Sequence, residues 1–151
     1  MPLSRRNFMV TAVQASVSML TLLAPRWVLA ADRRPAFDAT AIDAALQVLG
    51  LPPPQDTAEI LFKAPEIAEN GAAVPVEVES RLPNTRAMLL LVEKNPHVLS
   101  ARCEFPAGTE PFFATRVKMA ETSRIHAIAL TDSGNFSTTR LVKVTLGGCG
   151  G

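Results

Sequence analysis

The chain has no tyrosine, one tryptophan, two cysteines and two histidines among its 151 residues. A structural zinc site wants about four Cys or His ligands at short characteristic spacings. His97, Cys103, His126 and Cys149 are scattered singly, with no close cluster of carboxylates, and this excludes such a site. No glycine-rich loop follows a strand and opens a helix, so nucleotide binding has no support. There is no basic block, and the net charge is +1, which argues against nucleic acid or an anionic membrane surface as partner. Internal repeats are missing as well.

What is present begins with "SRRNFMV", where Arg5 and Arg6 precede an uncharged apolar run from about Phe8 to Ala24. Val28 and Ala30 satisfy the small-residue rule for cleavage after Ala30. Residues 1–30 therefore read as an export signal of the twin-arginine type, and the mature protein is expected in the periplasm. The run is shorter than the ~20 residues of a membrane span, so no membrane attachment is expected of the mature chain. Removing the signal takes away Arg5, Arg6 and Arg26 and no acid, which turns the net charge from +1 to −2. About 120 residues remain, enough for one ordinary domain with its own core. The twin-arginine route exports folded cargo. With so few metal ligands, the better reason for folding first is a partner subunit that travels along without a signal of its own.

Asp38–Gly50 reads as a short amphipathic helix. Asp38 is the candidate N-cap, Ile42, Leu46 and Leu49 share one face, and Gly50 suits the position after the last turn. "LPPPQD" then stops it as a rigid connector. From Glu59 the pattern changes to short stretches of alternating character. Strands are expected at Glu59–Lys63, Val74–Glu79, Arg86–Glu93, Val98–Phe105, Phe112–Met119, Ser123–Thr131 and Phe136–Leu146. Val74, Val76 and Val78 face one way and Glu77 and Glu79 the other. Leu99, Ala101, Cys103 and Phe105 oppose Ser100, Arg102 and Glu104, and Phe113, Thr115, Val117 and Met119 oppose Arg116 and Lys118. "ENGA", "RLPNT", "KNPH", "PAGTEP" and "DSGN" supply turns. About seven short strands joined tightly predict an all-β fold, an immunoglobulin-like antiparallel β-sandwich spanning 31–146 with a short N-terminal helix.

The last seven residues are "TLGGCGG". Glycine loses the most freedom on ordering, and buried cysteines normally have apolar neighbours, so Gly147, Gly148, Gly150 and Gly151 predict a flexible arm at 147–151 presenting Cys149 to solvent. A lone exposed thiol in an oxidising compartment invites mixed disulfides and over-oxidation. Such a residue calls for a function. An unperturbed thiol with a pKa of about 8.5 is only a few per cent ionised near neutral pH. Enzymes that Cys149 visits would have to activate it. Three extended residues of ~3.3–3.6 Å beyond Leu146 would carry the sulfur on the order of 10 Å off the body, the layout of a group carrier. Cys103 lies on the apolar phase of its strand and reads as a small core residue. His126, in "RIHAIAL", reads as a strand residue facing solvent or an interface. His97 lies in an Asn-Pro turn, and neither histidine has a nucleophile beside it in sequence.

The ending "VKVTLGGCGG" resembles that of the SoxY family, the sulfur-carrying subunits of the periplasmic thiosulfate-oxidising (Sox) system. "APEIAENGAAVPVEVES", "KNPH", "ATRVKMAETSRIHAIALTDSGNF" and the twin-arginine leader are similar to that family too. The resemblance implies that Cys149 is the covalent attachment site for thiosulfate-derived groups. Gly147, Gly148, Gly150 and Gly151 would be its arm. It implies a heterodimer with a SoxZ-like subunit and transient contacts with Sox enzymes that load, hydrolyse and oxidise the adduct. No catalytic residue, metal or cofactor is expected beyond the sulfur intermediates themselves. Cys103 departs from the ordinary apolar or aromatic residue expected at its strand position. The alternative from the residues alone is a periplasmic thiol reductase or sulfurtransferase with Cys149 as nucleophile, and a tail cysteine that cross-links two copies is a third.

Overall fold

In the computed structural model, residues 34–146 are described. The signal expected at 1–30, the arm glycines Gly147, Gly148, Gly150 and Gly151, and Cys149 lie outside them. The described chain opens with two short helices, α1 (Arg34–Phe37) and α2 (Ile42–Val48). Strands β1 (Gln55–Asp56), β2 (Ile60–Lys63), β3 (Ile67–Asn70), β4 (Val74–Ser80) and β5 (Thr85–Val92) follow. The remaining strands are β6 (Leu99–Glu104), β7 (Phe112–Val117), β8 (Ser123–Thr131) and β9 (Asn135–Leu146). A 3-10 turn, Gly71–Ala73, joins β3 to β4.

The strands form a two-layer sandwich. One sheet runs β1-β9-β8-β5-β6, with β3 also pairing β9, and the other runs β2-β4-β7. All seven expected strands are present within a residue or two. β1 and β3 are additional, and both pair with β9 in parallel, so the sandwich is antiparallel except along this edge. They escape sequence patterning because neither shows hydrophobic alternation. β1 is two exposed residues, and β3 buries only Ala68.

The alternation of β4 is as expected: Val74, Val76 and Val78 are buried against Met88, Leu90, Val92, Ile125 and Ala127 between the sheets. The central strand β5 is buried on both faces. Met88, Leu90 and Val92 face the other sheet, while Ala87, Leu89 and Leu91 face outward beneath Leu46, Ile42 and Leu49 of the helical segment. Burying a side chain of this size is worth about 1.5–3 kcal/mol, so the helix is held by its apolar face rather than by its own seven residues.

Two local expectations are corrected. Asp38 does not cap the helix. α1 ends at Phe37, just before Asp38, and α2 starts four residues after Asp38 with Ala41 at the N-cap and no side chain capping it. Gly50 does terminate it, with φ of 67°. Leu51 N–H donates to Leu46 C=O at 2.9 Å and Gly50 N–H to Gln47 C=O at 3.0 Å, the paired bonds of a Schellman ending. The second correction concerns β6. Leu90 pairs with Ala101 but Leu91 with Leu99, so Ser100 is an extra residue, a β-bulge. The bulge turns Leu99 to the helix-covered face, while Ala101, Cys103 and Phe105 stay with the sandwich core.

Candidate functional site

β9 is the longest strand, 12 residues, and the segment bearing Cys149 follows it directly. Phe136, Val142 and Val144 of β9 pack on the sandwich core. The alternate residues Thr139, Leu141, Lys143 and Thr145 are exposed. The last pairing with β8 joins Val142 to Ser123. β9 then outruns its neighbour.

Beyond that point the strand is held from both edges by other means. On one side Val144 N–H donates to Thr122 Oγ1 at 2.9 Å, and the same hydroxyl lies 3.5 Å from Val144 C=O. On the other, β3 pairs Ile67 with Lys143, Ala68 with Val144 and Asn70 with Leu146. Lys143 N–H donates to Glu66 C=O at 2.9 Å, and Thr145 Oγ1 donates to Glu69 C=O at 3.0 Å. Ordered strand therefore reaches Leu146, three positions before Cys149.

The loops around this end are tied together. Asn95 Nδ2 donates to Lys118 C=O at 2.7 Å, and Ala120 N–H donates to Asn95 Oδ1 at 3.0 Å. Lys94 N–H donates to Ser123 Oγ at 3.0 Å, and Lys94 Nζ lies 3.3 Å from a Glu121 carboxylate oxygen. Met119 is fully buried, and its N–H donates to Gly71 C=O at 2.7 Å. Sequence reasoning missed Thr122 and Asn95 because each acts through side-chain hydrogen bonds to the backbone of a distant strand or loop. The "KNPH" and "KMAETS" stretches were the only signals available.

The two histidines are not brought together with a thiol. His126 is half-buried rather than open to solvent. Its Nδ1 lies 3.2 Å from Thr139 Oγ1, and its buried Nε2 has no partner among the described residues. Burial lowers its pKa below the ordinary 6.5. Glu93 opposes that shift, Arg124 adds to it, and Asp56 opposes it. His97 is exposed, with Nδ1 3.2 Å from Asp38 C=O, and ties its turn to the N-terminal helices. Cys103 is a free, partly buried thiol opposite Met88 at the margin of the core. Among the described residues no group of three His, Cys, Asp or Glu could hold a metal ion.

Concave surface includes the region where β2 faces β9. Two grooves there, of about 670 and 600 Å³, share Arg140 in their lining, and its Nε donates to Phe62 C=O at 3.3 Å. Neither groove is lined by a histidine or cysteine, so neither offers a nucleophile with its base.

A family model described as "Sulfur oxidation protein SoxY" matches residues 45–149, a span that runs from within α2 to Cys149. Among solved structures, the sulfur carrier protein SoxY from Chlorobium limicola f thiosulfatophilum is similar at a TM-score of 0.64 and 31% identity, over 73% of this chain and 96% of that one. No curated protein matches.

Proposed function

The chain belongs to the SoxY family and has that family's role as a sulfur carrier in sulfur oxidation; we propose that the carrying atom is Sγ of Cys149. The observation that supports this most is the delivery of a braced strand to Leu146, three residues short of a glycine-flanked thiol. A pinned root with a short slender extension suits a group that must enter the active sites of other proteins.

The chemistry is covalent and needs partners. Loading joins the Cys149 thiolate to the outer sulfur of thiosulfate, forming one S–S bond and releasing two electrons to an oxidising partner enzyme. A second partner adds water across the bond to the sulfonate, releasing sulfate and leaving a persulfide on Cys149. The remaining sulfane sulfur is then oxidised by further partners. The carrier supplies a thiol, an exchangeable S–S bond and access; it catalyses none of these steps. The protein works in the periplasm, exported folded with a SoxZ-like subunit as its heterodimeric partner.

Intact-mass spectrometry of the mature protein from sulfur-oxidising cells, with and without reductant, tests this reading. Reductant-labile additions of sulfur or thiosulfonate mass on Cys149 are the expected result. A bare thiol during active turnover, together with turnover by the isolated protein, would favour a thiol reductase or sulfurtransferase. A constitutive disulfide dimer as the active form would favour a cross-linking module.

A further inference from the structure

We propose that Thr122 and Asn95 form a brace that fixes the point from which the Cys149 segment departs, an inference that rests on the carrier reading above. Past the Ser123–Val142 pair there is no β8 residue to meet the inner edge of β9. Thr122 occupies that place. It has left the strand as a bend, and its hydroxyl oxygen receives the Val144 amide proton that a further strand residue would have bonded.

A side chain on a loose loop could not hold a strand, and this loop is not loose. Asn95 uses both ends of its carboxamide on the loop between β7 and β8, donating to Lys118 C=O and accepting from Ala120 N–H. Fully buried Met119 lies between those two contacts. Asn95 in turn belongs to the β5–β6 turn, so three segments converge on Val144: β3 on one edge, and Asn95 acting through Thr122 on the other. Thr122 is exposed and Asn95 half-buried, and neither belongs to the core. Their bonds are peripheral to the fold, and the residues beyond Val142 are what they hold in place.

That position sets the reach of the carrier. With β9 pinned to Leu146, the tether to Cys149 is three residues; released back to Val142, it is seven (143–149). Effective concentration falls roughly as the −3/2 power of tether length, so complete release would dilute the thiol at a bound partner about threefold to fourfold. Both residues are positioning residues; neither reaches the sulfur chemistry.

The test attaches a nitroxide to Cys149 in a Cys103→Ala background and reads its line shape together with the amide exchange of Val144. Thr122→Val keeps the shape and loses the acceptor, whereas Thr122→Ser keeps the acceptor. We expect Thr122→Val and Asn95→Ala each to narrow the spectrum and speed Val144 exchange several-fold. Thr122→Ser should match the parent, Ile128 exchange should be unchanged throughout, and the double variant should be no looser than Thr122→Val alone. Parent-like spectra and Val144 exchange in Thr122→Val would overturn the brace, as would a Thr122→Ser variant as loose as Thr122→Val. Neither readout depends on sulfur loading. An unloaded Cys149 in the mass measurement would overturn the carrier reading while leaving these line shapes to decide the brace.

Discussion

Thr139 sets its hydroxyl 3.2 Å from Nδ1 of His126 across the β8–β9 register, and this turns the other ring nitrogen into the protein, where no described group meets it. A neutral ring satisfies Nδ1 and leaves Nε2 bare; a second proton would sit on Nε2 without an acceptor. Burial therefore holds the folded-state pKa below 6.5.

The unfolded chain then binds more protons than the folded one across that interval. Stability carried by His126 is fully present above pH 6.5 and declines as the pH falls from 6.5 towards the lowered folded value. NMR titration of the His126 ring should give a midpoint below 6.5. His126→Gln should flatten the acid side of the stability curve, and an unchanged slope in that variant would refute the assignment.

Replacing Cys149 by Ser should abolish adduct formation and leave the melting temperature where it was. Among the described residues, the sandwich and helix clusters draw their members from positions 36–144. Thermal melts and intact masses of the same preparation check both halves. A melting temperature lowered by many degrees would mean that the C-terminal segment contributes to the folded body.

Leu46 is 4% exposed and sits over Leu89, Leu91 and Ile128. Leu46→Ala should cost about 2–5 kcal/mol by losing transfer energy and leaving a cavity. Denaturant unfolding measures it. A change below 1 kcal/mol would show that the helix collapses onto the sheet without penalty.

Gly50 has a positive φ of 67°, and a Cβ placed there meets nothing within 4 Å. Gly50→Ala should therefore destabilise by about 1–2 kcal/mol through left-handed backbone strain alone. Gly50→Asn should cost less, because Asn tolerates this conformation. Equal losses for the two would point to some cause other than backbone conformation.

The legible parts of the fold were those whose side chains carry a period. Val74, Val76 and Val78 could be placed from alternation, and Ile42, Leu46 and Leu49 from helical spacing, because burial on one face imposes those periods. Gly50 was legible because its conformation is a backbone property. β1 and β3 were not, since they join the sheet through backbone bonds along one edge, which leave no side-chain pattern. Leu99 was misplaced for a related reason. A bulge at Ser100 shifts the phase by one residue, and only the register with β5 reveals it.

The site divides in the same way. Cys149 and its four glycines stand out in the sequence by themselves, because a thiol among residues without side chains has nothing local to bury it. Tertiary structure decided where that segment is rooted. Thr122 and β3 reach β9 from 22 and 76 residues earlier in the chain, and Asn95 reaches Lys118 and Ala120, beside Thr122, across 23 and 25 residues. A hydrogen bond between such distant positions depends on how the two sheets and their loops come together, and no spacing in the sequence encodes it.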